Sequence, residues 1–481
     1  MSYKKFTKDI GIYGLMQLVS ALGGFITLPI ITKLLGVENY GSWTQLLVTA
    51  GLISSLALLG LPYAIVRFLA GEKDKREIQD GIWSTATLVF CISIIFSLFL
   101  IFFSNPISHF FNCKKVFVQI LAIIIIFDYL NQVFLSVFRA LQQNIKYCLF
   151  TIFQELGEIG LVVLAICLGY GLFGALFSFL IIRIVTSLLI GGYIIKEIGF
   201  KVPQFLKTKK YLSLCWPTIP DSLSGWVIQS SDRYLIGFFL GTLFVGYYAP
   251  AYVIGVFVIS FLVAPFSFLL PAILSRFYDE NKVNEVKIYL KYSLKYFLLF
   301  AIPSVFGLSI LSKQILTILT TSEFAQAGYL VLPIVALGML PMGANAIIAQ
   351  IIGIIKKTKV GGTLAIIAAL LNFGLNLIFI PMLGIIGAAV TTLIAFTFLF
   401  LSTWIYSSRH IKFGIDWQFI LKSIFASALM TFFVFWLNPI GLYKTITAIV
   451  LGVLIYGTLI IFLKGFSQQE LSLFKKVIKK A

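Results

Sequence analysis

Apolar runs of about 20 residues, long enough to cross a bilayer as helices, follow one another along almost the whole chain, with short polar breaks between them. Fourteen can be marked. Residues 10–34, 42–67, 81–103, 116–138, 149–168 and 172–195 form a first set. Residues 214–239, 244–269, 289–311, 330–354, 361–382 and 385–406 form a second, and 419–437 and 446–463 close the series. The breaks repeat as well. Leu35 and Gly36, with Gly41 five places on, return as Leu240 and Gly241 with Gly246, 205 positions later. Arg67-Phe68 after Ala64-Ile65 has a counterpart in Arg276-Phe277 after Ala272-Ile273, and Gly171-Leu172-Phe173-Gly174-Ala175 in Gly384-Ile385-Ile386-Gly387-Ala388. The pattern predicts an all-α integral membrane fold of about fourteen transmembrane helices built on an internal repeat. Residues 1–197 make a first six-helix lobe, 198–211 a basic linker, 212–407 a second six-helix lobe, 408–464 two peripheral helices and 465–481 a basic tail. The first run follows Lys4, Lys5 and Lys8 but reads as a span, because no small-residue cleavage site follows it and the next span begins almost at once.

Composition agrees. Sixty percent of residues are hydrophobic and 11% charged, too few charges to cover a water-soluble surface. The net charge of +19 raises nucleic acid as a partner, but the basic residues are scattered through the short breaks and read better as topology. With the N-terminus in the cytoplasm, thirty Lys and Arg fall on the inner side. Only Lys33, Lys114, Lys115, Lys313 and Lys444 fall on the outer side. Both termini are therefore expected to be cytoplasmic. Six spans return the chain to its starting side, so the two repeats share one topology and should relate by an axis along the membrane normal. Five cysteines form no spaced pair, His109 and His410 lie far apart, and no GxxxxGK[ST] motif occurs. No cofactor, metal site or nucleotide hydrolysis is expected, which leaves a proton or sodium gradient, or downstream consumption, as the source of any work.

Ionisable groups within spans are costly and mark polar cavities or partners. Asp128 on the fourth span, Glu155 and Glu158 on the fifth and Arg183 on the sixth lie at similar depth, roughly 10 to 20 Å from the nearer face at 1.5 Å per residue. Three acids facing one base leave an excess of negative charge that a bound proton or cation would relieve. The other reading is a structural ion pair between Arg183 and one carboxylate. The seventh span carries Pro217, Pro220 and Asp221 near its inner end and Asp232-Arg233 further out. Proline permits a bend in a gating helix, and Asp221 joins the ion-coupling candidates. Arg233 would hold a phosphate through bidentate bonds or pair with Asp232 or a neighbouring helix. Arg67, Arg139 and Lys33 at span ends are either substrate head-group ligands or interfacial anchors. In the second lobe Asn372 and Asn376, four apart, with Asn345 and Gln350, are either interhelical hydrogen-bonding groups or ligands for sugar hydroxyls in a polar cavity.

Through Lys33-Leu34-Leu35-Gly36 with Tyr40-Gly41, Arg139-Ala140-Leu141-Gln142, and Asp232-Arg233 with Gly241, Gly246 and Tyr247, the chain resembles the bacterial polysaccharide flippases. These are the O-antigen and capsule repeat-unit exporters of the multidrug/oligosaccharidyl-lipid/polysaccharide superfamily. Lys33 stands where that family commonly has arginine, which keeps the charge and removes the fork. The resemblance implies a V-shaped pair of bundles around a cationic central cavity. It also implies alternating-access transfer of an undecaprenyl-pyrophosphate-linked oligosaccharide to the outer face of the bacterial plasma membrane, coupled to an ion gradient. The partners implied are that substrate, membrane lipids and other polysaccharide assembly proteins. Two relatives are alternatives: a multidrug/cation antiporter, usually of twelve spans, and a lipid-linked peptidoglycan precursor flippase. A membrane polymerase or glycosyltransferase fits less well, because the outer breaks are roughly a dozen residues long and carry no carboxylate pair.

Overall fold

In hydrocarbon no water is at hand to bond a peptide group, so each run must satisfy its own N–H and C=O groups as a helix. The computed structural model does this throughout: among the described residues, 3–216, 219–466 and 470, every element is helical. Pro217, the side chains of Lys4, Lys5, Lys8 and Asp221, and the tail with Lys475, Lys476, Lys479 and Lys480 lie outside the described residues.

Residues 1–246 form one compact unit and residues 247–481 another. The first holds α1 (Tyr3–Ala57), α2 (Leu61–Leu69), α3 (Lys75–Phe102), α4 (Ser104–Phe110) and α5 (Lys115–Ala140). It continues with α6 (Asn144–Cys167), α7 (Gly171–Ile198), α8 (Thr208–Cys215) and α9 (Ile219–Leu240). In its interior α5 packs against α3 and α7, α6 lies between α7 and α1, and α9 runs along α1. At Gly246 the first unit ends, just inside α10 (Thr242–Asp279). The second unit follows with α11 (Val283–Ile310), α12 (Ser312–Leu319), α13 (Ser322–Gly328), α14 (Val331–Ile348) and α15 (Gln350–Ile354). After them come α16 (Thr358–Leu383), α17 (Ile385–Ser408), α18 (Trp417–Leu437) and α19 (Leu442–Phe462). Here α17 packs on α14 and α16, and α11 on α14 and α18.

Among the described residues, eleven segments are long and apolar enough to cross a membrane. The three other expected spans have helices too. At 55 residues α1 would be about 80 Å long, more than twice the hydrocarbon thickness. It turns at Gly36 (φ 73°, ψ 175°) and so supplies the first two spans. The seventh span is α9, whose apolar character Gln229, Asp232 and Arg233 dilute. Two differences from the sequence reading have local causes. The second span is broken and bent by 49° between α1 and α2, where Leu59 and Gly60 take positive φ and Pro62, which has no N–H to give, opens α2. Short helices α4, α12 and α13 fill breaks that had no periodic apolar signal of their own.

The basic linker is fastened down. Gln79 Nε2 donates to the Ile198 carbonyl at 2.7 Å and Trp83 Nε1 to that of Gly199 at 3.0 Å. Buried Asp80 accepts from the backbone N–H of Gln204 at 2.6 Å and of Leu206 at 3.3 Å. Ser84 Oγ accepts from Phe205 N–H at 3.0 Å and donates to Asp80. One turn of α3 thus satisfies the peptide groups of a segment that has no helix of its own. In the second unit α18 and α19 dock on α11 through Phe419, Ala426, Met430, Tyr456 and Ile460. Tyr456 donates to the Leu299 carbonyl at 2.9 Å at the centre of this contact.

Candidate functional site

Four intramembrane charges of the first unit sit on α5, α6 and α7, which pack side by side. Arg183 reaches both neighbours. Its Nε lies 3.2 Å from Asp128 Oδ1 and its Nη2 3.0 Å from Glu158 Oε2. The first contact is an ion pair with poor hydrogen-bond alignment, since Nε makes no hydrogen bond; the second is aligned. The guanidinium lies over the Phe179 ring, 4.4 Å from its centroid. Asn131 Nδ2 donates to the Arg183 carbonyl at 3.0 Å, and Gln132 Nε2 to Asp128 Oδ2 at 3.1 Å. Arg183 is 12% exposed and its two carboxylates 21% and 27%, so the node is largely dry. Glu155, one turn before Glu158 on the same face of α6, has Oε2 buried with no hydrogen-bond partner. One guanidinium therefore serves two carboxylates while a third oxygen stays unmatched. A proton or a small cation is the chemical species that would complete such a set.

Asp232 and Arg233 are almost fully buried on α9 and pair with each other, Nη1 to Oδ1 at 3.1 Å. Arg233 Nη1 also donates to the Gln229 carbonyl, and Arg233 N–H to Asp232 Oδ1 at 2.8 Å. Beyond them the two repeated glycine turns meet. A Cβ on Gly41 would stand 2.2 Å from the Thr242 carbonyl oxygen, and one on Gly246 would stand 2.2 Å from that of Val37. Only glycine fits at either place. The same stretch is tied by Thr242 Oγ1 to Gln45 Oε1 at 3.3 Å, by the Thr49–Tyr234 hydroxyl contact and by Trp226 Nε1 to the Val48 carbonyl at 3.2 Å.

The remaining candidates divide by depth. Lys33, Arg67 and Arg139 are exposed, Arg139 over the Tyr147 ring at 5.8 Å. Asn372 and Asn376 are fully buried between α16 and α17. Asn376 Nδ2 donates to Asn372 Oδ1 at 3.1 Å, and Thr391 of α17 donates to Asn376 Oδ1. That arrangement joins two helices, as interhelical hydrogen-bonding groups do. Gln350 Nε2, at the start of α15, donates to the Ala346 carbonyl of α14 at 3.1 Å, and Asn345 Oδ1 is buried without a hydrogen-bond partner. Two groups escaped the sequence reading. Asp80 lies four residues after the charged break that ends at Arg76 and carries no separate signal in the sequence. Lys295 counted as one more inner-side cation, yet it is 5% exposed and lies 3.0 Å from Glu470 and 3.2 Å from Asp416, with its ammonium 5.0 Å from the centroid of the Phe419 ring. Its position between Leu294 and Tyr296, inside a continuing apolar run, was the available signal.

Known proteins share this arrangement of helices. A family model described as polysaccharide biosynthesis protein matches residues 6–277, and one described as MatE matches residues 222–378. A probable low-salt glycan biosynthesis flippase, Agl15 of Haloferax volcanii, is 24% identical over 463 residues, 95% of each chain. A probable flippase of the same organism, AglR, is 27% identical over 37% of each chain. Among solved structures, the lipid II flippase MurJ in an inward closed conformation superposes with a TM-score of 0.78 at 20% identity, covering 94% of this chain and 98% of that one. An inward-facing multidrug resistance MATE family transporter of the MOP superfamily gives 0.64 at 15% identity, over 84% of this chain and 98% of its own.

Proposed function

This chain belongs to the polysaccharide biosynthesis protein family, and from that premise we propose that it is a flippase, a transporter and not an enzyme, for lipid-linked oligosaccharide. Its substrate is an oligosaccharide on a polyprenyl pyrophosphate such as undecaprenyl pyrophosphate, carried from the cytoplasmic to the outer leaflet of the plasma membrane for a surface glycan such as O-antigen or capsule. One observation carries the reading: over 95% of both chains the sequence aligns with a relative described as a glycan biosynthesis flippase. The chemistry supports it. A sugar-bearing anionic head crossing hydrocarbon needs polar groups at mid-depth, and the first unit holds Asp128, Glu155, Glu158 and Arg183 there. The charge node is the proposed coupling element, with a proton or sodium ion taking the place beside Glu155 and Glu158 in one state of an alternating-access cycle. Arg233, with Lys33, Arg67 and Arg139, is the proposed cationic set for the pyrophosphate, and the basic-residue bias supports cytoplasmic termini.

The MatE match over residues 222–378 favours one second reading, a multidrug/cation antiporter. Against it, α18 and α19 extend the chain beyond twelve spans, and the glycan flippase alignment spans 95% of the chain where the MATE superposition spans 84%. Sealed vesicles decide between them. Labelled undecaprenyl-pyrophosphate oligosaccharide placed on one leaflet should appear on the other only when the protein is present, and faster under an imposed proton or sodium gradient. Crossing that is independent of the protein, together with protein-dependent efflux of a cationic dye, establishes the antiporter instead.

A further inference from the structure

Apart from the charge node, the first unit has an open polar pocket of about 620 Å³. It forms where the turn of α1 after Gly36, the α4–α5 connection and the α6–α7 turn come together. By the basic-residue bias this is the outer end. Glu38, Asn39, His109 and Asn112 give it a carboxylate, two amides and an imidazole, and Tyr170 and Phe173 give it two rings. Asn112 Nδ2 donates to Glu38 Oε1 and Asn39 Nδ2 to the Leu35 carbonyl at 3.0 Å, so both side chains are held in place. Tyr170 is 63% exposed and Phe173 44%. The Tyr170 position is set by its neighbours: Gly169 and Gly171 take φ of 87° and 55° on either side, and a Cβ on Gly174 would stand 2.5 Å from Tyr170 Cβ.

The internal repeat separates what the turns need from what this pocket adds. The second copy keeps Gly241 with Gly246 and Gly384 with Gly387, while Met382 stands at the place of Gly169. At the places of Glu38 and Asn39 it has Leu243 and Phe244, and at those of Tyr170 and Phe173 it has Leu383 and Ile386. The shared glycines do not require the polar or aromatic side chains that the first copy carries. An interfacial aromatic belt would account for Tyr170 alone and leaves the adjoining carboxylate and amides without a purpose. Planar carboxylate and amide groups match the paired donors and acceptors of neighbouring sugar hydroxyls, and an exposed ring matches the C–H face of a pyranose. The volume is within the range of about 300 to 1,000 Å³ usual for small-ligand sites.

We infer that this pocket is an outer-face oligosaccharide site, receiving the sugar part of the substrate after transfer. Glu38 and Lys114 balance in charge at its wall, so it is built for sugar rings and not for the pyrophosphate. The inference rests on the flippase reading and adds a second glycan contact to it. The test uses the full-length protein in lipid nanodiscs and three probes: N,N′-diacetylchitobiose, maltotriose and oligosaccharides released by mild acid from the lipid-linked pool of the source cells. Saturation-transfer NMR should show at least one of them bound. The signal should fall at least five-fold in Tyr170→Leu and in Glu38→Leu, which install the second copy's residues, and should stay unchanged in Tyr443→Phe, an 85% exposed ring elsewhere. If Tyr170→Leu fails to fold, Phe173→Ile takes its place. Saturation of none of the three probes, or equal saturation in the pocket variants, overturns the inference. Transport assays on the same variants in sealed vesicles keep the two readings apart: transport without saccharide binding removes the pocket and spares the flippase, and binding without transport does the reverse.

Discussion

At the scale of single residues the first unit is governed by Arg183, because among the described residues it is the cation that compensates both Asp128 and Glu158. Arg183→Leu should cost about 3 kcal/mol or more, the usual penalty for leaving a buried partner uncompensated, read as a lower melting midpoint in detergent. Glu158→Gln keeps the shape and lowers the charge. If the node couples an ion, that variant should express normally and lose the gradient response in the vesicle assay; normal transport with an intact response would make the node purely structural. Arg233→Lys tests the head-group role differently, since it retains charge and loses the fork. Transport should fall several-fold, and unchanged transport would remove Arg233 from the pyrophosphate set. The sequence placed 128, 155, 158 and 183 at one depth, because depth is counted along each helix. Which carboxylate Arg183 chooses was not legible, since that depends on how α5, α6 and α7 rotate against each other. Lys295 shows the same limit: a basic residue near a span end reads as an anchor until its distant partners Asp416 and Glu470 are in view.

Whole elements respond to contacts that no single side chain dominates. Gly41→Ala or Gly246→Ala places a methyl group against a carbonyl oxygen of the opposing turn. Each should cost about 1 to 3 kcal/mol as overpacking. The double variant should cost less than the sum, because one substitution already parts the turns; additive melting shifts would mean the turns do not act as one contact. On the other side of the unit Asp80→Ala leaves the Gln204 and Leu206 N–H groups without their charged acceptor. A loss of about 3 kcal/mol in local stability should appear as faster trypsin cleavage at Lys201, Lys207, Lys209 and Lys210. Helix existence was largely legible, because a run of some twenty apolar residues in a bilayer has few other choices. The joints were less so. Gly36 was visible as a repeated turn, whereas the break at Leu59 and Gly60 lay hidden inside a continuous apolar run, with Pro62 its only mark.

Over the whole molecule the topology is the testable quantity. Cys113 lies in the connection between α4 and α5. In intact cells a membrane-impermeant maleimide should label it, and should not label Lys207→Cys in a background lacking the native thiols. The opposite labelling would invert the orientation and with it the sidedness of the oligosaccharide pocket.

The meeting of the glycine turns has a further meaning. Shifting by the repeat length turns Val37 into Thr242 and Gly41 into Gly246, so the contact of Gly41 with Thr242 and that of Gly246 with Val37 are one contact seen twice. That reciprocity is the signature of an isologous interface, the kind that two identical subunits make across a two-fold axis. In a homodimer every substitution at such a joint would strike both sides at once. Within one chain the two sides vary separately, and next to the joint Glu38 and Asn39 stand on one side and Leu243 and Phe244 on the other.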